Sequence, residues 1–325
     1  REMTFVPLFN FHSSGDFRED VGKFVRQVFI AIHVNQKGFP LGPEQVDSVI
    51  HADWVIPVAP ANQVLKKYSV VVENGRIRAI APIDEVSTQF RAKREFHLHN
   101  HALIPGFVNL HTHAAMSLMR GLADDLPLMT WLKDHIWPVE AKHVSPQFVL
   151  DGTRLACAEM LLGGITCFND MYFFPEAVAQ AALDFGMRAS VGIITIDFPT
   201  NYASDADDYI AKGLAVRDRF KDDALIKFCM APHAPYTVSD KAFARVVSLA
   251  EELNLPIHLH LHETSDEIQS SLKQFGCRPL ERMRKLGVLG PNLIGVHMVH
   301  LTESEIELLA EHGASVAHCP SSNLK

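Results

Sequence analysis

The chain has 325 residues, 47% of them hydrophobic and 21% charged, an ordinary soluble-enzyme composition that excludes a disordered or collagen-like protein. Lys+Arg number 30 against 38 Asp+Glu, and the formal net charge of -8 argues against nucleic-acid phosphates as the main partner. The five cysteines are scattered with no C-x-x-C, so they read as reduced thiols of a cytoplasmic protein rather than a disulfide frame or a thiolate metal site.

No apolar run approaches the roughly 18–20 residues that a membrane span needs, and the first ten residues lack a secretory pattern. No membrane partner is therefore expected, while the charge and composition permit a homodimer. Residues 1–46 read as an N-terminal extension without an assigned role, closing near the breaker cluster Gly38-Phe-Pro-Leu-Gly-Pro43.

Residues 47–103 read as strands and are expected to form a small β-sandwich-like domain. Val49 to Val58 is apolar and β-branched. Tyr68 to Ile80 is two strands around an Asn74-Gly75 turn, a hairpin signal. Phe96 to Leu103 alternates and is expected to be a further strand.

From residue 104 to 325 the rhythm changes. Apolar runs at Leu103–Leu110, Ile165–Asn169, Arg188–Ile194, Leu225–Met230, Pro256–Leu261, Asn292–Val296 and Ala314–Ala317 read as strands. Between them lie helical patterns at Gln147–Leu162, Pro175–Phe185, Ala206–Phe220, Asp240–Leu253 and Glu303–His312. Near-continuous apolar strands are buried on both faces, and strand–helix alternation implies parallel crossovers. The expectation is an α/β fold: a (β/α)8 TIM barrel lacking its eighth strand, with the small β domain beside it. A doubly wound sheet is the runner-up, but no G-x-G-x-x-G or P-loop motif accompanies the strands.

The 18 histidines concentrate at strand ends. His111 and His113 alternate at the end of the first barrel strand, so both rings face one side and can share a metal ion; the plain alternative is two polar loop residues. His258, His260 and His262 alternate along another strand. Three imidazoles buried on one strand face need hydrogen bonds or a metal, and spacing alone does not say which ring is the ligand. Glu263 follows at once, positioned as a proton carrier or as a helix N-terminal acid. Of His297 and His300, one should reach the same mouth, and His233, between two prolines, closes the strand before. His97, His99 and His101 share the spacing but fall in the small domain and read as a solvated strand face.

Pro105-Gly-Phe-Val-Asn-Leu-His-Thr-His113 resembles the metal-binding signature of the amidohydrolase superfamily. Met116-Ser-Leu-Met-Arg-Gly121, Trp137-Pro-Val-Glu140, Ala231-Pro-His-Ala-Pro-Tyr236, His260-Leu-His-Glu-Thr-Ser265, His297-Met-Val-His-Leu301 and His318-Cys-Pro-Ser-Ser-Asn-Leu-Lys325 resemble its 5'-methylthioadenosine/S-adenosylhomocysteine deaminase branch. The resemblance implies a metal-dependent hydrolase that deaminates a small purine nucleoside. It implies one Zn2+ per chain held by His111, His113 and His260, with Fe2+ or Mn2+ as alternatives. Glu263 would be the proton shuttle, which also touches the substrate, and His297 the second acid/base. Glu140 would hold the ribose hydroxyls and His233 would contact the nucleoside. Related enzymes acting on guanine or triazine rings, and an inactive truncated relative, are the alternatives. Two departures stand out. No substrate-holding Arg is placed over residues 200–223, although Arg217 and Arg219 lie there. The family's last metal ligand, an Asp on strand eight, would fall past Lys325, so this chain alone is expected to be poorly stable and weakly active.

Overall fold

The computed structural model describes residues 42–324, so residues 1–41 of the expected extension lie outside the described residues. These residues form two compact units. One comprises residues 42–107 with Leu161–Thr166, and the other Val108–Met160 with residues 167–324.

The first unit carries one four-stranded sheet in the order β3-β2-β1-β4. Its elements are β1 (Glu44–Val55), β2 (Leu65–Glu73), β3 (Arg76–Pro82), the short helix α1 (Ile83–Gln89) and β4 (Phe90–Leu103). The hairpin expected at Asn74-Gly75 joins β2 to β3, and both turn residues are left-handed (φ 50° and 70°), as a two-residue turn of this twist requires. Alternation along β1 sends side chains to both faces. Ile50, Ala52 and Val55 pack with Val70 and Leu103, whereas Val46 and Val49 pack with Val71 and Val86 of α1. β4 runs parallel to β1, pairing His51 with His97.

The second unit is built on a seven-stranded sheet whose strands follow chain order, β5 to β11. They are β5 (Phe107–Thr112), β6 (Ile165–Asp170), β7 (Arg188–Thr195), β8 (Ile226–Pro232), β9 (Ile257–Leu261), β10 (Leu293–His297) and β11 (Ser315–Ala317). The pairs from β6 to β11 are parallel. All five residues of β9 are buried, as expected of a strand covered on both faces. The helices are α2 (Trp137–His143), α3 (Pro146–Leu162), α4 (Pro175–Asp184), α5 (Ala206–Phe220), α6 (Asp240–Leu253), α7 (Ser265–Phe275), α8 (Pro279–Lys285) and α9 (Glu303–Glu311), of which α3, α4, α5, α6 and α9 fall where the periodicity places them. Asp205, Ser239, Thr264 and Thr302 cap α5, α6, α7 and α9, each side chain accepting from a first-turn amide that the helix leaves unpaired. No described helix is long and apolar enough to cross a membrane.

Sequence boundaries and structure differ mainly where side-chain hydrophobicity is ambiguous. Leu103 belongs to β4 rather than to the first barrel strand, and β5 extends to Thr112. The pair α7 and α8 was not among the expected helices; Gly276 in a left-handed conformation (φ 68°) closes α7, and α8 begins at Pro279.

Candidate active site

The C-terminal strand ends of the second unit carry the histidines. β5 delivers His111, and His113 follows one residue after the strand. The turn after His113 is fixed from two sides. Asp170, fully buried at the end of β6, accepts the Ala114 amide at 2.7 Å. Gly152 of α3 lies so close to the Ala115 carbonyl that a Cβ there would meet it at 2.4 Å, so only glycine permits this approach.

Three rings converge. His113 Nδ1 lies 2.5 Å from the Met171 carbonyl oxygen, and His260 Nδ1 lies 2.7 Å from that of His233. A carbonyl can only accept, so each Nδ1 carries its ring's hydrogen and each Nε2 is a bare lone pair. These two Nε2 atoms are 3.2 Å apart, and His260 Nε2 is also 3.1 Å from His111 Nε2. His111 Nδ1 rests 3.1 Å from His258 Nε2, which backs the third ring. Lone pairs aimed at one another repel; a cation between them turns the repulsion into ligation. Ligands about 2.0–2.1 Å from a tetrahedral zinc are spaced about 3.3–3.4 Å from one another, so the observed separations fit such an ion. Burial keeps the rings neutral and ready to ligate. It holds His113 down at about 4 and, with the neighbouring imidazoles, His111 and His260 well below the ordinary histidine range.

The alternating set on β9 divides at its last member. The expectation of three rings on one face fails at His262, because β9 ends at Leu261 and His262 turns left-handed (φ 55°). Its ring is wholly buried elsewhere: Nε2 accepts the Leu280 amide at 3.0 Å and Nδ1 donates to the His300 carbonyl at 3.1 Å. The same turn is braced by Glu267, whose carboxylate accepts the backbone amides of His262 at 3.0 Å and Glu263 at 2.8 Å. Glu263 is thereby presented at the mouth with its backbone fixed.

Glu263 Oε1 lies 3.4 Å from His297 Nε2, and His297 Nδ1 donates to Asn323 Oδ1 at 3.2 Å. With that proton fixed on Nδ1, Nε2 and the carboxylate face each other across a distance short enough to share one further proton. His297 also approaches the centre itself, since ligand atoms of His111, His260 and His297 lie within 4.8 Å of one another. His297 and Met298 are both left-handed (φ 74° and 54°), a conformation costly for non-glycine residues and concentrated at working sites. Of the two histidines expected to compete for this mouth, His297 is buried in it and His300 is exposed.

A cavity of about 330 Å³ opens beside His113 and His233. Its walls are apolar (Trp131, Ile136, Trp137, Phe173, Ile194 and Phe198 among them), and Glu140 is the carboxylate in its lining. Glu140 is held by the Tyr172 hydroxyl, which donates at 2.7 Å, and burial pushes its carboxyl up to about 7. Asn201 fixes the end of α2 by donating to the carbonyls of Ala141 and Val144 at 3.0 Å each. His233, driven down to about 3 by burial, is neutral, with Nδ1 3.0 Å from Thr237 Oγ1. Among the described residues lining the cavity there is no lysine or arginine. Arg217 pairs with Asp218 and Arg219 with Glu176.

The structure thus brings His111, His113, His260, His297 and Glu263 together, and sets Glu140 and His233 on the adjoining cavity. Sequence reasoning missed Asp170, Tyr172, Glu267 and Asn323. The first two end and follow β6, and asking what each strand end contributes would have found them.

The amidohydrolase family model matches residues 102–325. A 5-methylthioadenosine/S-adenosylhomocysteine deaminase of Saccharophagus degradans is 50% identical over 279 residues, covering 86% of this chain and 63% of that protein. Its counterpart from Thermodesulfovibrio yellowstonii is 45% identical over 279 residues, 85% of this chain and 64% of that one. The chain therefore spans less than two thirds of the length of these curated relatives. A zinc-bound adenosine deaminase from Xanthomonas campestris superposes with a TM-score of 0.85 at 51% identity, over 87% of this chain and 64% of that chain. Escherichia coli guanine deaminase, at 23% identity and a TM-score of 0.76 over 85% of this chain and 68% of that one, shares the fold.

Proposed function

The chain belongs to the amidohydrolase family, and from that premise we propose that its site performs the zinc-dependent hydrolytic deamination of an adenine nucleoside, with 5'-methylthioadenosine or S-adenosylhomocysteine as the substrate type. The observation that carries the reading is the meeting of three Nε2 lone pairs, His260 Nε2 lying 3.2 Å from that of His113 and 3.1 Å from that of His111, beside an apolar cavity whose carboxylate is Glu140. The relatives' names supply the substrate class. We assign the metal to His111, His113 and His260.

Zinc, when bound, supplies Lewis acidity that brings a water's pKa to about 7. The remaining work falls to side chains. Deamination adds water at the purine carbon bearing the amine and expels ammonia, so a proton must reach first the adjacent ring nitrogen and then the departing nitrogen. Glu263, backed by Glu267 and 3.4 Å from His297, holds and moves that proton. His297, its Nδ1 hydrogen held by Asn323 and its Nε2 lone pair turned toward Glu263, is the second base that can take up a proton released by the attacking water, the source of the protons Glu263 delivers. His233, a neutral imidazole in the cavity wall, offers the purine a hydrogen bond. Glu140 accepts the ribose hydroxyls, while Trp137, Phe198 and their neighbours exclude water around the apolar remainder.

The test is ammonia release from purified, zinc-loaded protein offered 5'-methylthioadenosine, S-adenosylhomocysteine, guanine and a chlorotriazine. Release from the adenine nucleosides that disappears in His113→Ala supports the assignment. Release from guanine, or of chloride from the triazine, with none from the nucleosides, overturns it.

A further inference from the structure

Sheet formation gives the solvated histidine face of the small unit a neighbour that the sequence does not reveal. Parallel pairing of β1 with β4 sets His51 beside His97 and Val49 beside Glu95, so His51, Glu95 and His97 lie on one face. The rings of His51 and His97 stack with centroids 4.6 Å apart, and His97 Nε2 is 3.7 Å from Glu95 Oε2. His51 is buried and pinned, its Nδ1 2.7 Å from the buried Ser69 Oγ, which leaves Nε2 as its ligand atom. One ligand atom from each of the three residues lies within 4.8 Å of the other two.

We propose that His51, Glu95 and His97 form a second divalent-cation site, taking zinc or copper, in addition to the centre held by His111, His113 and His260. Two imidazoles and a carboxylate are a donor set suited to these ions, with positions left open to water. The Ser69 hydroxyl plays the outer-shell part, orienting one ring while its other nitrogen faces the metal. Half the site is preformed, since His51 cannot turn. The other half adapts, since the side chains of His97 and Glu95 are 57% and 50% exposed and can close the last ångström on an ion. Burial, and then the adjacent His97, also hold His51 below the ordinary histidine range, so protons compete weakly for it.

Equilibrium dialysis against micromolar free zinc, with metal counted by atomic emission, tests this in the intact chain. Wild type is expected to hold one zinc more per chain than His97→Ala, and Glu95→Gln to weaken that extra equivalent by at least ~10-fold, the lower bound for losing even an outer-shell partner. Both substitutions are on exposed side chains, and circular dichroism confirms that the fold persists. A wild type that binds no more zinc than His97→Ala, or an extra zinc whose affinity is the same in Glu95→Gln, overturns the proposal. The comparison is differential, so it stands whether or not the barrel centre is loaded or active.

Discussion

The Tyr172 hydroxyl and the Glu140 carboxylate meet at 2.7 Å on the cavity wall, joining the loop after β6 to helix α2. Burial raises Glu140 to about 7 and the Tyr172 bond opposes that rise. The ionised form is the better acceptor for two hydroxyls, so nucleoside affinity should increase as pH rises through 7. KM measured from pH 6 to 8 is expected to fall with pH in wild type and to lose this dependence in Glu140→Gln, with KM about 10- to 100-fold higher, the worth of a charged hydrogen bond. Tyr172→Phe removes the opposing bond and should move the midpoint above 7.

Glu263→Gln keeps size and shape but cannot carry a proton. Turnover should drop by roughly 10²- to 10⁴-fold, the usual contribution of general acid–base catalysis, with zinc content unchanged. Loss of zinc in this variant would make Glu263 a ligand instead. Glu267→Gln, which weakens the brace on the Glu263 backbone, should lower kcat more than it raises KM.

His260 and His262 stand two residues apart and should fail differently. His260→Ala is expected to lose the metal with modest effect on the metal-free fold. His262→Ala leaves the buried Leu280 amide unpaired and should cost about 1–3 kcal/mol in a denaturant melt, with zinc stoichiometry intact.

The metal-free chain should weaken in acid for a specific reason. His113 and His233 titrate at about 4 and about 3 when folded, below the ordinary histidine value near 6.5. Between those values the unfolded chain binds more protons, so stability is fully present above pH 6.5 and is lost as pH falls toward 4. Urea melts of chelator-treated protein from pH 7.5 to 4.5 should show this slope, and added zinc should raise stability across the same range.

What the sequence disclosed follows from periodicity. Strand ends at His111, His233, His260 and His297 were legible because buried parallel strands read as apolar runs, and a polar ring at the end of each run is conspicuous. His262 was not legible: the alternation continues past Leu261 in the sequence, but a left-handed backbone ends the strand there. Nor was the place of His51, since its meeting with His97 depends on the register of β1 against β4, which neither strand's composition encodes. Tyr172 and Asn323 escaped for the same reason, acting on partners 32 and 26 residues away.

Nitrogen chemical shifts of the imidazoles, read from long-range proton–nitrogen spectra while one equivalent of zinc is added to metal-free protein, test the centre most directly. The expected result is a coordinated shift of Nε2 in His111, His113 and His260, with Nδ1 of His113 and His260 still protonated. Zinc that leaves these three Nε2 signals unmoved would contradict the account.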